Sequence, residues 1–105
     1  MKEKVYFEVV SHLGKKIRVT KDYWSFVVDV KHPPVKGLEE ETKQTLKKPI
    51  EIRRSKDDKK IYLYYSKYKK YMLCVVCKHL NGDGHIITVY LADKIKEGES
   101  IWKKT

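Results

Sequence analysis

At 105 residues the chain has room for one domain with a modest core and not for two that fold alone. Its 24 Lys and Arg against 14 Asp and Glu give a formal charge of +10, which favours a polyanionic partner through phosphate attraction and counterion release, although a lysine-heavy surface also accompanies heat adaptation. Two cysteines exclude a disulfide-framed secreted domain and read as reduced thiols, and no apolar run nears the roughly 18–20 residues that span a bilayer, so a soluble cytoplasmic protein is expected.

Lys4 to Val10 and Lys16 to Thr20 are β-prone runs, and Gly14 in the short connection between them can supply the turn of a first hairpin. Thr20 or Asp22 then caps a helix through Val30, with Trp24, Val27 and Val28 at helical spacing; Pro33 and Pro34 end it by His32. Gly37 opens a second helix, LEEETKQTLKK. Its acids come first and its lysines last, matching the helix dipole, and Pro49 stops it. Leu38, Thr42, Thr45 and Leu46 form its buried stripe.

From Ile50 the period becomes two, placing Ile52 and Arg54 on one face and Glu51 and Arg53 on the other. Ser55 to Lys60 is a polar turn, Ile61 to Ser66 a strand, and Lys67 to Lys70 a basic turn. The most decisive pattern is Tyr71 to Leu91, two β-rich arms joined by Asn81-Gly82-Asp83-Gly84, whose residue types suit a tight hairpin. In the charged tail, Trp102 is expected to pack back on the domain. The sum is an α+β domain.

Cys74, Cys77, His79 and His85 suggest a zinc site, but cysteines three apart in a strand face opposite sides, so packing is the better reading and neither metal nor cofactor is expected. Thr88 and Tyr90 share a sheet face by spacing. Arg54 could grip a phosphate, and His32 could act as a general acid or base. Tyrosines 62, 64, 65, 68 and 71 interleave with Lys59, Lys60, Lys67, Lys69 and Lys70, as suits single-stranded nucleic acid; Arg53, Lys56, Tyr64 and Lys67 are the candidate RNA contacts.

The order His32-Pro33, then Gly37 with the E-x-x-x-T-L-K-x-P of Glu41 to Pro49, then Ile52-Arg53-Arg54-Ser55-Lys56, Leu63-Tyr64-Tyr65, Leu73-Cys74-Val75-Val76 and the run from Gly84 through Ile87-Thr88-x-Tyr90 to Gly98 and Trp102 resembles the phage-type barnase, EndoU, colicin and RelE-like (BECR-fold) nucleases of prokaryotes. It departs at His85, Val89 and Ala92, where Phe, Ala and Thr look usual. The resemblance implies residues 1–105 as one nuclease-like domain, with an N-terminal β-hairpin and two helices packed on a roughly four-stranded antiparallel sheet. It also implies a metal-independent ribonuclease site at His32, Arg54, Thr88 and Tyr90. The expected partners are RNA and, if the protein is the toxin of a toxin–antitoxin pair or a mobile-element nuclease, an antitoxin. The competing reading is a non-catalytic RNA-binding module.

Overall fold

The computed structural model describes residues 4–105; the first three residues of the alternating run that opens the chain lie outside them. Strands β1 (Val5–Val10) and β2 (Lys16–Thr20) form the expected hairpin, turning at Gly14 with φ of 82°. Thr20 caps helix α1 (Lys21–Phe26) by accepting from the Tyr23 amide at 3.1 Å. The helix widens into a π-helical turn (Val27–Lys31), closed where the His32 amide donates to the Val27 carbonyl at 2.7 Å. The two prolines then hold a 3₁₀ turn (Pro33–Val35). Helix α2 (Glu39–Lys47) buries Thr42, Thr45 and Leu46, the stripe its sequence spells out.

Strands β3 (Glu51–Arg54), β4 (Ile61–Tyr68), β5 (Tyr71–His79), β6 (Asp83–Ala92) and β7 (Glu99–Lys103) complete one sheet. Strand β4 runs two residues beyond Ser66, so the turn tightens to Lys69, whose φ is 54°. The expected four-stranded antiparallel sheet is therefore corrected. The sheet has seven strands in the order β1-β2-β6-β5-β4-β3-β7, and it is mixed. The four anticipated strands are its centre, but the first hairpin joins it through parallel pairing of β2 with β6, and β7 adds an antiparallel edge.

Two local features permit the parallel join. Gly84 lies so close to β5 and β2 that an added Cβ would meet the Lys78 carbonyl oxygen at 2.3 Å and Ile17 Cδ1 at 3.0 Å. Across the same pair of strands, the Arg18 guanidinium donates twice to Asp83 Oδ2, at 2.7 and 3.1 Å.

The sheet has two apolar faces. On the helix side, Phe7, Val9, Ile17 and Val19 join Trp24, Val27, Leu46, Ile52, Tyr64, Val75, Cys77 and Val89 in the larger core. The other side carries a smaller cluster of Leu63, Tyr65, Cys74 and Val76. Burying each such aliphatic side chain contributes about 1.5–3 kcal/mol. Cys74 and Cys77 are thus free, buried and on opposite faces. No helix among the described residues is long and apolar enough to cross a membrane.

Candidate functional site

The β6 strand departs from regular pairing once, between Val76↔Thr88 and Cys77↔Ile86, so that Ile87 is the extra residue of a bulge. The bulge keeps Ile86 and Val89 on the helix side although they are three apart, and it turns Thr88 and Tyr90 to the opposite face. Beyond the end of β2, the edge of β6 is covered by α1 and the π turn. Tyr23 donates its hydroxyl to the Ile87 carbonyl at 2.6 Å, and Lys31 Nζ approaches the same oxygen at 3.5 Å.

This docking brings His32 beside Tyr90, with ring centroids 5.7 Å apart. Burial, with the neighbouring Lys31 charge, lowers the His32 pKa from its usual 6.5, so the ring is neutral at pH 7. Tyr90 sits in a cross-strand row with Cys74 and Tyr65, and its phenol is held protonated well above its ordinary range, first by burial and then by that row. Thr88 Oγ1 shares that face but is buried, with no hydrogen-bond partner among the described residues. Along the same face runs a cleft of about 370 Å³ walled by Ser55, Lys56, Leu63, Tyr90 and Glu97.

Arg54 does not join this group. Its cross-strand partners are Tyr62, Cys77 and Ile86 in succession, which places it on the helix side, whereas Arg53 pairs through Leu63 and Val76 to Thr88. The alternation that separates Arg54 from Arg53 is legible in the sequence; the register that aligns Arg53 with Thr88 is not. Arg53 is itself held by the protein, donating to Glu51 Oε2 at 2.7 Å, the Glu97 carbonyl at 2.6 Å and the Gly98 carbonyl at 2.9 Å. Three of its five N–H groups are thereby committed to the protein, which leaves less of the guanidinium for the RNA contact expected of it. Glu51 is 5% exposed; burial alone would raise its pKa, but hydrogen bonds from Arg53 and Ser100 and the charges of Arg53 and Lys103 outweigh it and leave the carboxyl below its ordinary value.

Tyr64 is corrected too. It is 0% exposed on the helix side, where its hydroxyl donates to Ser11 Oγ at 2.9 Å and meets His79 Nε2 at 3.0 Å. No base can stack there. Lys56 and Lys67 are exposed as expected. Sequence reasoning passes over Lys31; its position beside the His-Pro pair, one turn beyond Val27, is the signal that could have found it.

Among the described residues, no group of three or more His, Cys, Asp or Glu side chains gathers as a metal site. Comparison with protein-family models, curated proteins and solved structures finds no match for the chain.

Proposed function

We propose that the protein is an RNA-directed, metal-independent endoribonuclease whose reaction centre lies at His32 and Tyr90. The observation that carries this reading is the approach of the two rings to 5.7 Å, from segments separated in sequence by α2 and three full strands. A neutral imidazole and a protonated phenol are the base and acid that cleavage through the ribose 2′-hydroxyl needs. His32 takes the 2′-hydroxyl proton as that oxygen attacks the adjacent phosphorus. Tyr90 supplies a proton to the departing 5′-oxygen, leaving a 2′,3′-cyclic phosphate and a 5′-hydroxyl end. The ammonium groups of Lys31 and Lys56 stand in for the arginine expected here from sequence.

The second reading is a non-catalytic RNA-binding module. The placement of Arg54 on the far face and the tethering of Arg53 favour it, since one guanidinium is turned from the pair and the other has three of its five N–H groups held by the protein. Incubating labelled RNA with the protein in excess EDTA separates the two. Cyclic-phosphate ends that vanish in His32→Ala support cleavage, whereas binding without ends, equal in His32→Ala, supports the module. A toxin role for the protein, with an antitoxin as its partner, rests on this cleavage and is tested by growth arrest that His32→Ala abolishes.

A further inference from the structure

On the other side of the sheet from Tyr90, the β1–β2, β3–β4 and β5–β6 turns enclose a cleft of about 370 Å³. Three lysines line it, Lys15, Lys59 and Lys60, together with Tyr62, His79 and Asn81, and no carboxylate is among its walls. None of the three is in an ion pair among the described residues, where the pairs are Arg18–Asp83, Lys36–Asp29, Lys43–Glu40 and Arg53–Glu51. The nearest acid in sequence, Asp58, spends Oδ1 on the Lys60 amide at 2.9 Å.

The walls are preorganised. Tyr62 and His79 stack at 3.8 Å with an 11° interplanar angle, and His79 is anchored beneath by Tyr64. Lys15 Nζ is tethered to the Leu80 carbonyl at 3.1 Å, so one cation is fixed at the rim before any ligand arrives. Three lysines without an ion pair, bordering a cleft with a stacked aromatic pair in its wall, gain most from a compact polyanion.

We propose that this cleft binds a backbone phosphate of single-stranded RNA, a contact separate from the His32–Tyr90 centre. It rests on the RNA-directed reading for the identity of the strand, though not on cleavage. Arg54, the cross-strand neighbour of Tyr62 on the same face, extends the positive path away from the cleft. The two sites would then hold different parts of one strand as it passes around the sheet edge.

The test uses a 2′-O-methyl decaribonucleotide, which has no free 2′-hydroxyl to attack, in fluorescence anisotropy across a salt series. The comparison is between the unaltered protein, Lys59→Gln/Lys60→Gln, and the equal-charge control Lys47→Gln/Lys48→Gln on α2 and its C-terminal end. The cleft variant should bind about tenfold more weakly, with a salt slope shallower by about 0.7 for each phosphate it no longer neutralises. The control should change by less than about twofold. Inorganic phosphate, titrated into ¹⁵N-labelled protein, should shift the amides of Lys60 and Asn81. Equal losses in both double variants, or unmoved amides, overturn the proposal. Lysine-dependent binding by a protein that leaves ordinary RNA uncut sinks the cleavage reading and keeps the cleft; cleavage retained with equal binding by all three proteins sinks the cleft alone.

Discussion

The ring of His12, in the first hairpin turn, lies 4.2 Å from that of Trp102 in the last strand. Strands β1 and β7 are the opposite edges of a seven-stranded sheet, so this contact requires the sheet to curl toward the helix side until its edges approach. The Tyr64–Ser11 hydrogen bond and the His12 amide's bond to the Leu46 carbonyl at 2.8 Å cross the same interior. Trp102→Ala removes the aromatic that closes the curl and leaves β7 held by the short β3 alone. A loss of about 2–3 kcal/mol in urea unfolding is expected, and no measurable loss would mean the edges stand apart in solution.

His79 ties that interior to pH. Burial, and then the Lys15 charge, lower its pKa from 6.5 to about 4. With the Tyr64 hydroxyl donating to Ser11, Nε2–H of the neutral ring donates to the Tyr64 oxygen. The groups packed around the ring are Lys15, Tyr62 and Tyr64, none of which offers a counter-charge to an imidazolium. Between pH 6.5 and 4 the unfolded chain therefore binds a proton that the folded one refuses. Stability is complete above about pH 6.5 and falls as pH drops toward 4, by about 1–2 kcal/mol after allowance for screening. His32 acts in the same sense and to a smaller extent, so the comparison is His79→Gln against His32→Ala in urea unfolding at pH 7 and 5. The slope should flatten mainly in the former.

Gly84 carries the parallel join. Its phantom Cβ stands 2.3 Å from a backbone oxygen, which cannot step aside as a flexible side chain would. Gly84→Ala should cost about 2–4 kcal/mol, at the upper end of overpacking. The loss should fall on β2–β6 pairing, seen as faster amide exchange at the β2 residues facing β6. Unchanged exchange at Ile17 and Arg18 would show that the hairpin does not depend on this approach.

That join also marks the limit of what the chain reveals by itself. The β5–β6 hairpin is legible because its turn and its pairing are neighbours in sequence, and α2 because charge order, apolar stripe and Pro49 all agree. Arg18 and Asp83 are 65 residues apart, and parallel pairing leaves no turn between its strands to read. Strand β7 hides for a different reason: the register slips between Ile52↔Trp102 and Arg53↔Ser100, so Ile101 breaks the alternation that marks a strand. At the candidate site, the shared face of Thr88 and Tyr90 follows from spacing. Whether Arg53 or Arg54 shares it depends on register across β4 and β5, which spacing within one strand does not contain.

Two buried threonine hydroxyls, Thr42 and Thr88, have no partner among the described residues, and both should tolerate Val. Thr45 shows the ordinary solution on a helix, with its hydroxyl donating to the Glu41 carbonyl at 2.7 Å. Thr42→Val relieves an unmet desolvation cost in the core and should be neutral or stabilising by up to about 1 kcal/mol without touching RNA cleavage. Thr88→Val should be equally benign to stability and should leave RNA binding and turnover unchanged, because an oxygen closed to solvent does not reach a phosphate. A loss of turnover in Thr88→Val well beyond that in Thr42→Val would show that the Thr88 oxygen opens to the substrate in solution.

The pH dependence of the proposed cleavage would follow from His32 and Tyr90 together. A base works only when unprotonated, so kcat/KM should rise with pH through the His32 pKa and level off; because burial lowers that pKa from its usual value, the limb lies at more acid pH than an ordinary histidine would give. The acid must keep its proton, and burial holds Tyr90 protonated above the usual tyrosine pKa of 10, so no descending limb should appear below that value. Tyr90→Phe should lower kcat about a hundredfold while preserving the ascending limb, and His32→Ala should abolish the limb itself. Arg54→Ala, on the far face, should reduce kcat far less than either. A bell centred near pH 7 would exclude this pair as base and acid, and a larger kcat loss in Arg54→Ala than in His32→Ala would place the chemistry on the helix side of the sheet.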